Sequence, residues 1–351
     1  MKNSGKIDRN DFEEFFQHKC GYNRPEVRVA PAFGVDVSVV DLPNGLSMAL
    51  TSDPLSLIPS LGLQESAWLS VHLMANDMAT TGCPPMYGQF VLNLPASLSE
   101  SDFAEYWNHI HRFCSDIQLS ITGGHTGTIE GQNSTIAGGG TMITVAPKEK
   151  ILVSQNAQKG DLILATKQCA ISSSAILAMS FPKTVQAELG KEIYHEACRL
   201  FYKTSSLTEG LAAARLNASE PCVTAMHDVT EGGMLGAVYE MATASGKGAR
   251  IYNHRLPIGE VQNEICQLFA IDPRYSIGAG SMIMTVKKGF ENKIITDLEH
   301  HDIDCRVIGE ITEAANGIEL IDADGTSSPL AYQRTDPYWN AFFTALKNNW
   351  K

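Results

Sequence analysis

The feature that most constrains the fold of this chain is a polar break near its middle. Residues 148–160 are polar, and they separate two halves that each contain their own series of apolar runs. A chain of 351 residues is also longer than a single hydrophobic core ordinarily supports. We therefore expect two domains, over residues 1–150 and 151–351.

The first half predicts strands and helices in mixed order. Apolar runs at 37–40 and 46–50 flank Asn44-Gly45, a sequence typical of a β-hairpin turn. Apolar residues then recur every three or four positions, which predicts a helix over 64–81 that stops at Gly82. Further along we predict a strand at 89–94, a helix at 101–116 capped by Ser99 or Ser101, and a strand at 135–145.

The second half begins a fresh pattern. It predicts strands at 162–166, 223–226 and 281–287, and helical segments at 172–180, 191–215 and 232–245. Helices and strands are thus mixed in both halves. This mixture predicts an α/β or α+β architecture, and periodicity alone does not choose between the two.

Charge and apolar content exclude several classes of protein. The net charge is -12, which argues against binding to nucleic acid or to an anionic membrane. No window approaches the length of an apolar membrane span, and the polar N-terminus lacks the pattern of a secretory signal. The eight cysteines are widely spaced and form no C-x-x-C pair. We therefore expect reduced thiols and a cytoplasmic location.

Five segments place acidic residues or glycines beside apolar runs, where binding sites commonly form. They are residues 34–40, 50–54, 71–82, 122–127 and 227–234. Asp53 is expected where a strand ends, and the segment 122–127 is expected to be a loop. Asn76 and Asp77 lie within an otherwise apolar helix, where polar side chains are costly unless they have partners.

Each segment also has a purely structural interpretation. Asp36 and Asp53 could be ordinary turn residues, and Asn76 with Asp77 could simply be buried and hydrogen-bonded. Asp228 and Glu231 have the spacing of a capping box. The same glycine-flanked helix start could equally bind phosphate. No single motif decides between these interpretations, but the ordered set is specific.

That ordered set resembles the AIR synthase-related superfamily, which includes aminoimidazole ribonucleotide synthetase, thiamine-monophosphate kinase, selenophosphate synthetase and HypE. The resemblance covers residues 5–311. It is strongest at residues 71–82, similar to the pattern V-H-x-x-x-N-D-[LM]-A-x-x-G, and at His227-Asp228-x-Thr-Glu-Gly-Gly. Both segments resemble the HypE branch most.

The resemblance implies a PurM-like two-domain fold, a homodimer formed through the N-terminal domain, and ATP in a cleft between the domains. It implies that magnesium is held by Asp36, Asp53, Asp77 and Asp228, with Asp228 approaching the phosphates and Asn76 in support. Oxygen ligands of this kind suit magnesium. The remaining residues implied in nucleotide binding are Gly123, Gly124, His125, Thr126, His227, Gly232 and Gly233.

Three positions depart from the family pattern. Val35-Asp36 replaces an acidic pair, His125 replaces an acidic residue after Gly124, and Ala279 stands between two glycines where relatives carry an acidic residue. Histidine is a poor magnesium ligand. Two functions therefore stay open. One is magnesium- and ATP-dependent phosphoryl transfer to an amide- or carboxyl-like oxygen of a small molecule or protein-borne substrate, and the other is a non-catalytic nucleotide-binding scaffold.

Chemistry specific to individual branches of the superfamily is not expected here. Cys20 is the only cysteine near the N-terminus, which disfavours the selenophosphate synthetase reaction. The cyanide-forming step associated with HypE implies a cysteine-tipped mobile tail, whereas the last cysteine here is Cys305 in a predicted strand. Trp350 is expected to pack on the surface. Lys6 could reach a phosphate or only solvent, and solvent is the preferred expectation.

Overall fold

The first half of the chain folds around a six-stranded mixed sheet. In the computed structural model, which describes residues 5–17 and 19–351, this sheet has the strand order β1-β2-β3-β6-β4-β5, and β4 and β5 are its parallel pair. The strands are β1 (Val27–Val29), β2 (Ser38–Asp41), β3 (Leu46–Ser56), β4 (Tyr87–Pro95), β5 (Ser120–Ile129) and β6 (Ile136–Pro147).

Two helices cover one face of this sheet. They are α2 (Leu63–Ala79) and α3 (Glu100–Asp116), and the short helix α1 (Arg9–Phe15) precedes the first strand. Met74 of α2 and Tyr106 of α3 are fully buried in the same cluster as Phe90 of β4. Ser99 caps α3 by accepting the backbone N–H of Asp102, which confirms the predicted cap.

The predicted hairpin is also confirmed. Strands β2 and β3 pair antiparallel, with Ser38 opposite Leu50. Asn44 has a φ of 63° and a ψ of 30° in the connection, which is the left-handed conformation that asparagine tolerates better than most residues.

The second half contains a seven-stranded sheet with helices on both faces. Its strand order is β13-β12-β9-β11-β7-β10-β8. The strands are β7 (Leu162–Thr166), β8 (Val223–Asp228), β9 (Gly248–Tyr252), β10 (Met282–Val286), β11 (Cys305–Thr312), β12 (Ile318–Ile321) and β13 (Ser327–Pro329). The helices are α4 (Ile171–Ser180), α5 (Pro182–Leu200), α6 (Leu207–Ser219), α7 (Gly233–Ala244), α8 (Glu260–Leu268), α9 (Glu291–Glu299) and α10 (Pro337–Lys347).

The two faces of this sheet have separate cores. Ile163 packs with Met234 of α7, whereas Leu164, its neighbour on β7, packs with Ala213 of α6 and Ile294 of α9. This alternation is what a strand buried on both faces requires. The mixed α/β fold class expected from the sequence is therefore confirmed.

Three local predictions are wrong. The segment 122–127 is not a loop but part of β5, because it pairs with β4 and places Gly124 opposite Phe90. Glycine allows this close pairing, since a Cβ at Gly124, whose φ is +148°, would lie 1.8 Å from the carbonyl oxygen of Phe90. Asp53 lies within β3, not at its end, because β3 continues along β6 to Ser56. The helical stretch predicted at 191–215 is interrupted between α5 and α6 by a short 3-10 turn at Phe201–Lys203.

The C-terminus is packed against the second half. The ring of Trp350 lies 5.0 Å from the ring of Phe269 and 6.3 Å from that of Phe181, so the expected packing of this residue is confirmed. All eight cysteines are free thiols, as predicted. Among the described residues, none of the helices combines the length and the apolar character needed to cross a membrane.

The first sheet leaves its other face and its β5 edge open to solvent. The exposed residues of β4 and β5 include apolar side chains, among them Tyr87, Val91 and Ile129, which are 41%, 40% and 45% exposed. A sheet with an open edge and an exposed apolar face offers a surface for pairing with another chain. This surface fits the homodimer that the sequence resemblance implies.

We predict that the protein is a dimer in solution and that Val91→Asp makes it a monomer. A charge at this position would have to be buried in the dimer interface, whereas it stays hydrated in the monomer. Light scattering of the eluting peak measures the mass directly. The matched control is Val27→Asp on β1, at the opposite edge of the sheet. A wild-type mass of 38.1 kDa at micromolar concentration would refute the dimer.

Candidate functional site

Three carboxylates from distant parts of the sequence meet between the two halves. Asp36 lies two residues before β2, Asp77 lies near the end of α2, and Asp228 is the last residue of β8. One oxygen from each lies within 4.8 Å of the other two. The structure thus brings together three of the four residues that the resemblance implies as metal ligands.

Asp53, the fourth predicted ligand, lies close to this cluster but outside the set of three oxygens. Burial raises its pKa to about 6, opposed by the Lys6 ammonium and reinforced by the negative charges of Asp36 and Glu231. Thr51, which lies two residues before Asp53 on β3, donates a hydrogen bond of 2.6 Å to Asp77 Oδ2. Strand β3 therefore contributes one acidic residue and one positioning residue to the site.

The carboxylates are crowded and poorly solvated. Burial and the nearby charge of Asp36 raise the pKa of Asp228 to about 8, although the positive charge of His227 opposes the shift. Burial also raises the pKa of Asp77 well above its usual value, and Asp228, Asp53 and Asp36 act in the same direction. A cluster of this kind is stabilised by bound protons or by a cation. Its oxygen donors fit a divalent ion such as magnesium.

His227 is a buried positive charge between two carboxylates. Its Nδ1 lies 2.8 Å from Asp36 Oδ2, and its Nε2 lies 3.3 Å from Glu240 Oε2. Although burial by itself lowers the pKa of His227, the two carboxylates raise it to about 10. The imidazolium therefore fixes the position of Asp36, because both of its nitrogens point at carboxylates. This bonding assigns His227 a positioning role.

Lys6 extends this chain of charges. Its Nζ lies 3.0 Å from Glu240 Oε2, and its backbone N–H donates to Glu231 Oε2 at 2.8 Å. Burial opposes ionisation of Glu240, but Lys6 and His227 lower its pKa to about 2. The expectation that Lys6 reaches only solvent is therefore wrong for its ammonium group, which is held at the site by Glu240.

A close backbone approach makes this arrangement possible. Gly34, two residues before Asp36, has a φ of +74°, and a Cβ at this position would lie 2.5 Å from the carbonyl oxygen of Glu240. Any larger residue would push the Asp36 segment away from α7. Glycine at this position thus allows Asp36 to reach His227.

Asn76 links the two halves of the chain. Its Nδ2 donates to the carbonyl oxygen of Thr204 at 2.9 Å, and its Oδ1 accepts the N–H of Ser206 at 2.7 Å. Both ends of the buried amide are therefore used by the backbone ahead of α6. Asn76 supports the site by fixing α2, and with it Asp77, against the second half.

The start of α7 differs from a capping box. Gly232 is the N-cap residue and no side chain caps this end, so Asp228 and Glu231 do not form the reciprocal cap that their spacing allows. The N–H of Gly232 donates to Asp336 Oδ2 at 2.8 Å, and Gly233 is the first residue of the helix. One backbone donor at this helix start is therefore already in use.

Four of the predicted nucleotide-binding residues lie apart from the carboxylate cluster. Gly123, Gly124, His125 and Thr126 are exposed on β5, the outer strand of the first sheet. His125 is not part of the cluster of acidic groups found in the described ranges 5–17 and 19–351. These residues lie at the open β5 edge of the first sheet, on the surface through which we predict that the dimer forms.

Glu240 is a site residue that was not predicted from the sequence. It is a lone carboxylate in the otherwise apolar helix α7, and its side chain is 1% exposed. The same signal, a costly polar residue among apolar ones, had singled out Asn76 and Asp77. Thr51 gave no comparable signal, because threonine is common in strands.

Comparison with known proteins agrees with this architecture. Residues 34–146 match the N-terminal domain of AIR synthase related protein, and residues 158–321 match its C-terminal domain. The carbamoyl dehydratase HypE of Azotobacter vinelandii is 25% identical over 61% of this chain and 60% of its own length. The HypE of Cupriavidus necator is 23% identical over 80% of this chain and 77% of its own.

Solved structures show the same fold. The crystal structure of Escherichia coli HypE, a hydrogenase maturation protein, superposes with a TM-score of 0.70 at 20% identity, over 90% of this chain and 94% of that one. A crystal structure of HypE in complex with ATP superposes with a TM-score of 0.65 at 16% identity, over 95% of this chain and 97% of that one. Together the two domain matches span most of the sequence, and the chain therefore belongs to the AIR synthase related family.

Proposed function

We propose that this protein binds ATP together with magnesium and transfers a phosphoryl group to an amide- or carboxyl-like oxygen of its substrate. The observation that carries the proposal is the cluster of Asp36, Asp77 and Asp228 at the junction of the two halves. A related structure of HypE was determined with ATP, which supports the choice of nucleotide. The acceptor is a small molecule or a protein-borne group.

In this proposal, Asp36, Asp77 and Asp228 hold the metal, with Asp53 beside them. A bound magnesium ion would offset the charge of the triphosphate and orient it. Phosphoryl transfer needs little covalent chemistry from the protein, because positioning and charge neutralisation lower most of the barrier. The oxygens of the cluster suit magnesium, which takes one or two carboxylates together with phosphate oxygens and water.

The chain's own residues keep this arrangement in place. His227 fixes Asp36, Thr51 fixes Asp77, and Asn76 fixes the helix that carries Asp77. The ammonium of Lys6, next to Glu240, is a positive charge close to the carboxylates. We propose that it limits their mutual repulsion and that a phosphate group could become its second partner.

A non-catalytic nucleotide-binding scaffold is the second candidate function. His125 and Ala279 favour it, because both stand where the family resemblance implies acidic residues. Both functions require the carboxylate cluster to bind metal and nucleotide, so binding alone does not separate them. Steady magnesium-dependent ATP hydrolysis in the presence of an acceptor would support the enzyme, and its absence with every acceptor would support the scaffold.

We predict that ATP raises the melting temperature only when magnesium is present. The carboxylates repel bare triphosphate, whereas the magnesium complex binds the folded state and stabilises it by about 2.7 kcal/mol at a hundredfold excess over Kd. Thermal unfolding measures this shift. Asp228→Asn should abolish it, and Asp324→Asn, at an exposed turn, should leave it unchanged. Equal shifts with and without magnesium would contradict the assigned site.

We also predict that the metal-free protein loses stability as the pH rises from about 4 to 8. A carboxyl group with a raised folded-state pKa stabilises the fold below its unfolded pKa, and this contribution disappears as the pH rises through the folded value. Asp53, with a pKa of about 6, and Asp228, with a pKa of about 8, define this window.

Urea unfolding at several pH values measures this effect, which should be on the order of a few kcal/mol. Asp228→Asn should flatten the profile, because the uncharged amide removes one repelling charge at high pH. Magnesium should flatten the wild-type profile in the same way. A wild-type profile that is level between pH 5 and 8 without metal would count against the crowded cluster.

His125 should contribute little to nucleotide binding. Its ring is exposed on β5, and imidazole is a poor magnesium ligand. By calorimetry, His125→Ala should change the affinity for magnesium–ATP by less than about twofold, whereas Asp77→Asn should weaken it at least tenfold, since a charged contact is worth about 1.5–3 kcal/mol. His125→Asp should strengthen the magnesium dependence. A tenfold loss in the alanine variant would show that the histidine has a role of its own.

A further inference from the structure

A short turn ahead of α6 is held by side chains of the first half. We call residues 203–206 the junction turn. Three side chains of α2 are hydrogen-bonded to it, over distances of 2.7–3.0 Å: Trp68, His72 and Asn76. Asn76 directly precedes Asp77 in the helix. The position of the junction turn therefore determines where α2 places Asp77.

Lys167, the residue after β7, holds the same turn from the second half. Its Nζ donates to the carbonyl oxygens of Ser205 at 2.6 Å and of Lys203 at 3.3 Å. It also donates to the carbonyl oxygen of Gly280 at 2.9 Å, and Glu209 Oε1 lies 2.5 Å away. An ammonium group has three N–H bonds, and these acceptors use all of them. Lys167 therefore connects the junction turn to the segment that contains Gly280.

The segment after Gly280 leads directly to Asp228. Ser281 follows Gly280, and its carbonyl oxygen accepts the N–H of Val229 at 3.0 Å. Met282 comes next and pairs with Asp228 across β10 and β8. The carbonyl oxygen that Lys167 binds is thus two residues away from the strand pair that positions Asp228.

The backbones of the two connected segments lie very close together. Gly280 has a φ of +104°, and a Cβ there would lie 2.2 Å from the carbonyl oxygen of Lys203. This close approach lets one ammonium group reach carbonyl oxygens of both segments. Lys167 itself has a φ of 51°, a conformation that residues other than glycine seldom adopt. Backbone of this kind persists where the surrounding contacts hold it in place.

We propose that Lys167 is a positioning residue of the metal site. Through the junction turn it holds α2 and so Asp77, and through Gly280 it holds the strand pair that ends in Asp228. It acts on both carboxylates through backbone contacts, and thereby sets how far apart they lie. This role rests on the proposed function, because it concerns the alignment of the proposed metal ligands. Residues that orient metal ligands in this way contribute about 10- to 100-fold to metal affinity.

Glu209 allows alignment to be separated from stability. Lys167→Met alone would leave the Glu209 carboxylate buried without its cation, and an unpaired buried charge is strongly destabilising. Glu209→Gln keeps the ammonium group and its three carbonyl acceptors. The double variant Lys167→Met/Glu209→Gln removes both charges together with the contacts to the carbonyl oxygens. The comparison of the double variant with Glu209→Gln therefore isolates the carbonyl contacts of Lys167.

Binding of Mn²⁺ without nucleotide gives the first test, with the EPR signal of the free ion as the measurement. Glu209→Gln should retain the wild-type affinity, and the double variant should bind Mn²⁺ at least about tenfold more weakly. Lys203→Met is the matched control. It removes an exposed lysine side chain from the junction turn but keeps the backbone carbonyl, so it should retain the wild-type affinity.

Hydrogen exchange of the Ser206 amide gives a second test that needs no metal. This N–H donates to Asn76 Oδ1 at 2.7 Å, so its exchange reports the contact between the junction turn and α2. In the metal-free protein it should exchange at least about tenfold faster in the double variant than in Glu209→Gln. Wild-type protein that binds no Mn²⁺ would refute the proposed metal site, whereas the exchange comparison would still decide the role of Lys167.

Gly280→Ala tests the same connection if the double variant does not fold. It leaves Lys167 and Glu209 unchanged, but its Cβ would push the junction turn away. It should therefore also speed exchange of the Ser206 amide and weaken Mn²⁺ binding. The positioning role is overturned if the double variant and Glu209→Gln exchange alike or bind Mn²⁺ equally well, or if Gly280→Ala changes neither quantity.

Discussion

The ion pair between Asp36 and His227 is the interaction on which the rest of the site depends. Asp36 belongs to the first half of the chain and His227 to the second, and their 2.8 Å contact is almost completely buried. Glu240 and Lys6 complete the same row of alternating charges. A buried charge is strongly destabilising when its partner is missing. The two halves must therefore meet in this arrangement, so that each charge in the row lies beside an opposite charge.

The same contact determines the electrostatics of the site. His227 and Lys6 form ion pairs with Asp36 and Glu240, whereas within residues 5–17 and 19–351 Asp77 and Asp228 form no ion pair of their own. Burial, together with the charges of the neighbouring aspartates, raises the pKa values of both groups. The fold thus holds several negative charges close together. Their repulsion lowers the stability of the folded protein when neither protons nor a cation are bound. At functional sites, residues that are needed for binding commonly lower the stability of the fold.

Much of this arrangement was predictable from the sequence. Asp36, Asp77 and Asp228 stood out because each lies next to an apolar run, and their order along the chain is typical of the family. The strand at 122–127 was not predictable, because consecutive glycines usually indicate a turn. Only the structure shows that Gly124 packs against the backbone of β4. The pairing of His227 with Glu240 was equally hidden, since contacts between distant segments leave no periodic pattern.

We propose that Asp36, Asp77 and Asp228 together hold a divalent cation at the nucleotide. Crystals grown with manganese and a non-hydrolysable ATP analogue test it most directly, because manganese substitutes for magnesium and scatters anomalously. We expect an anomalous peak within coordination distance of oxygens from these three residues and of a phosphate oxygen. A nucleotide bound with its metal elsewhere, or a metal held by other side chains, would contradict it.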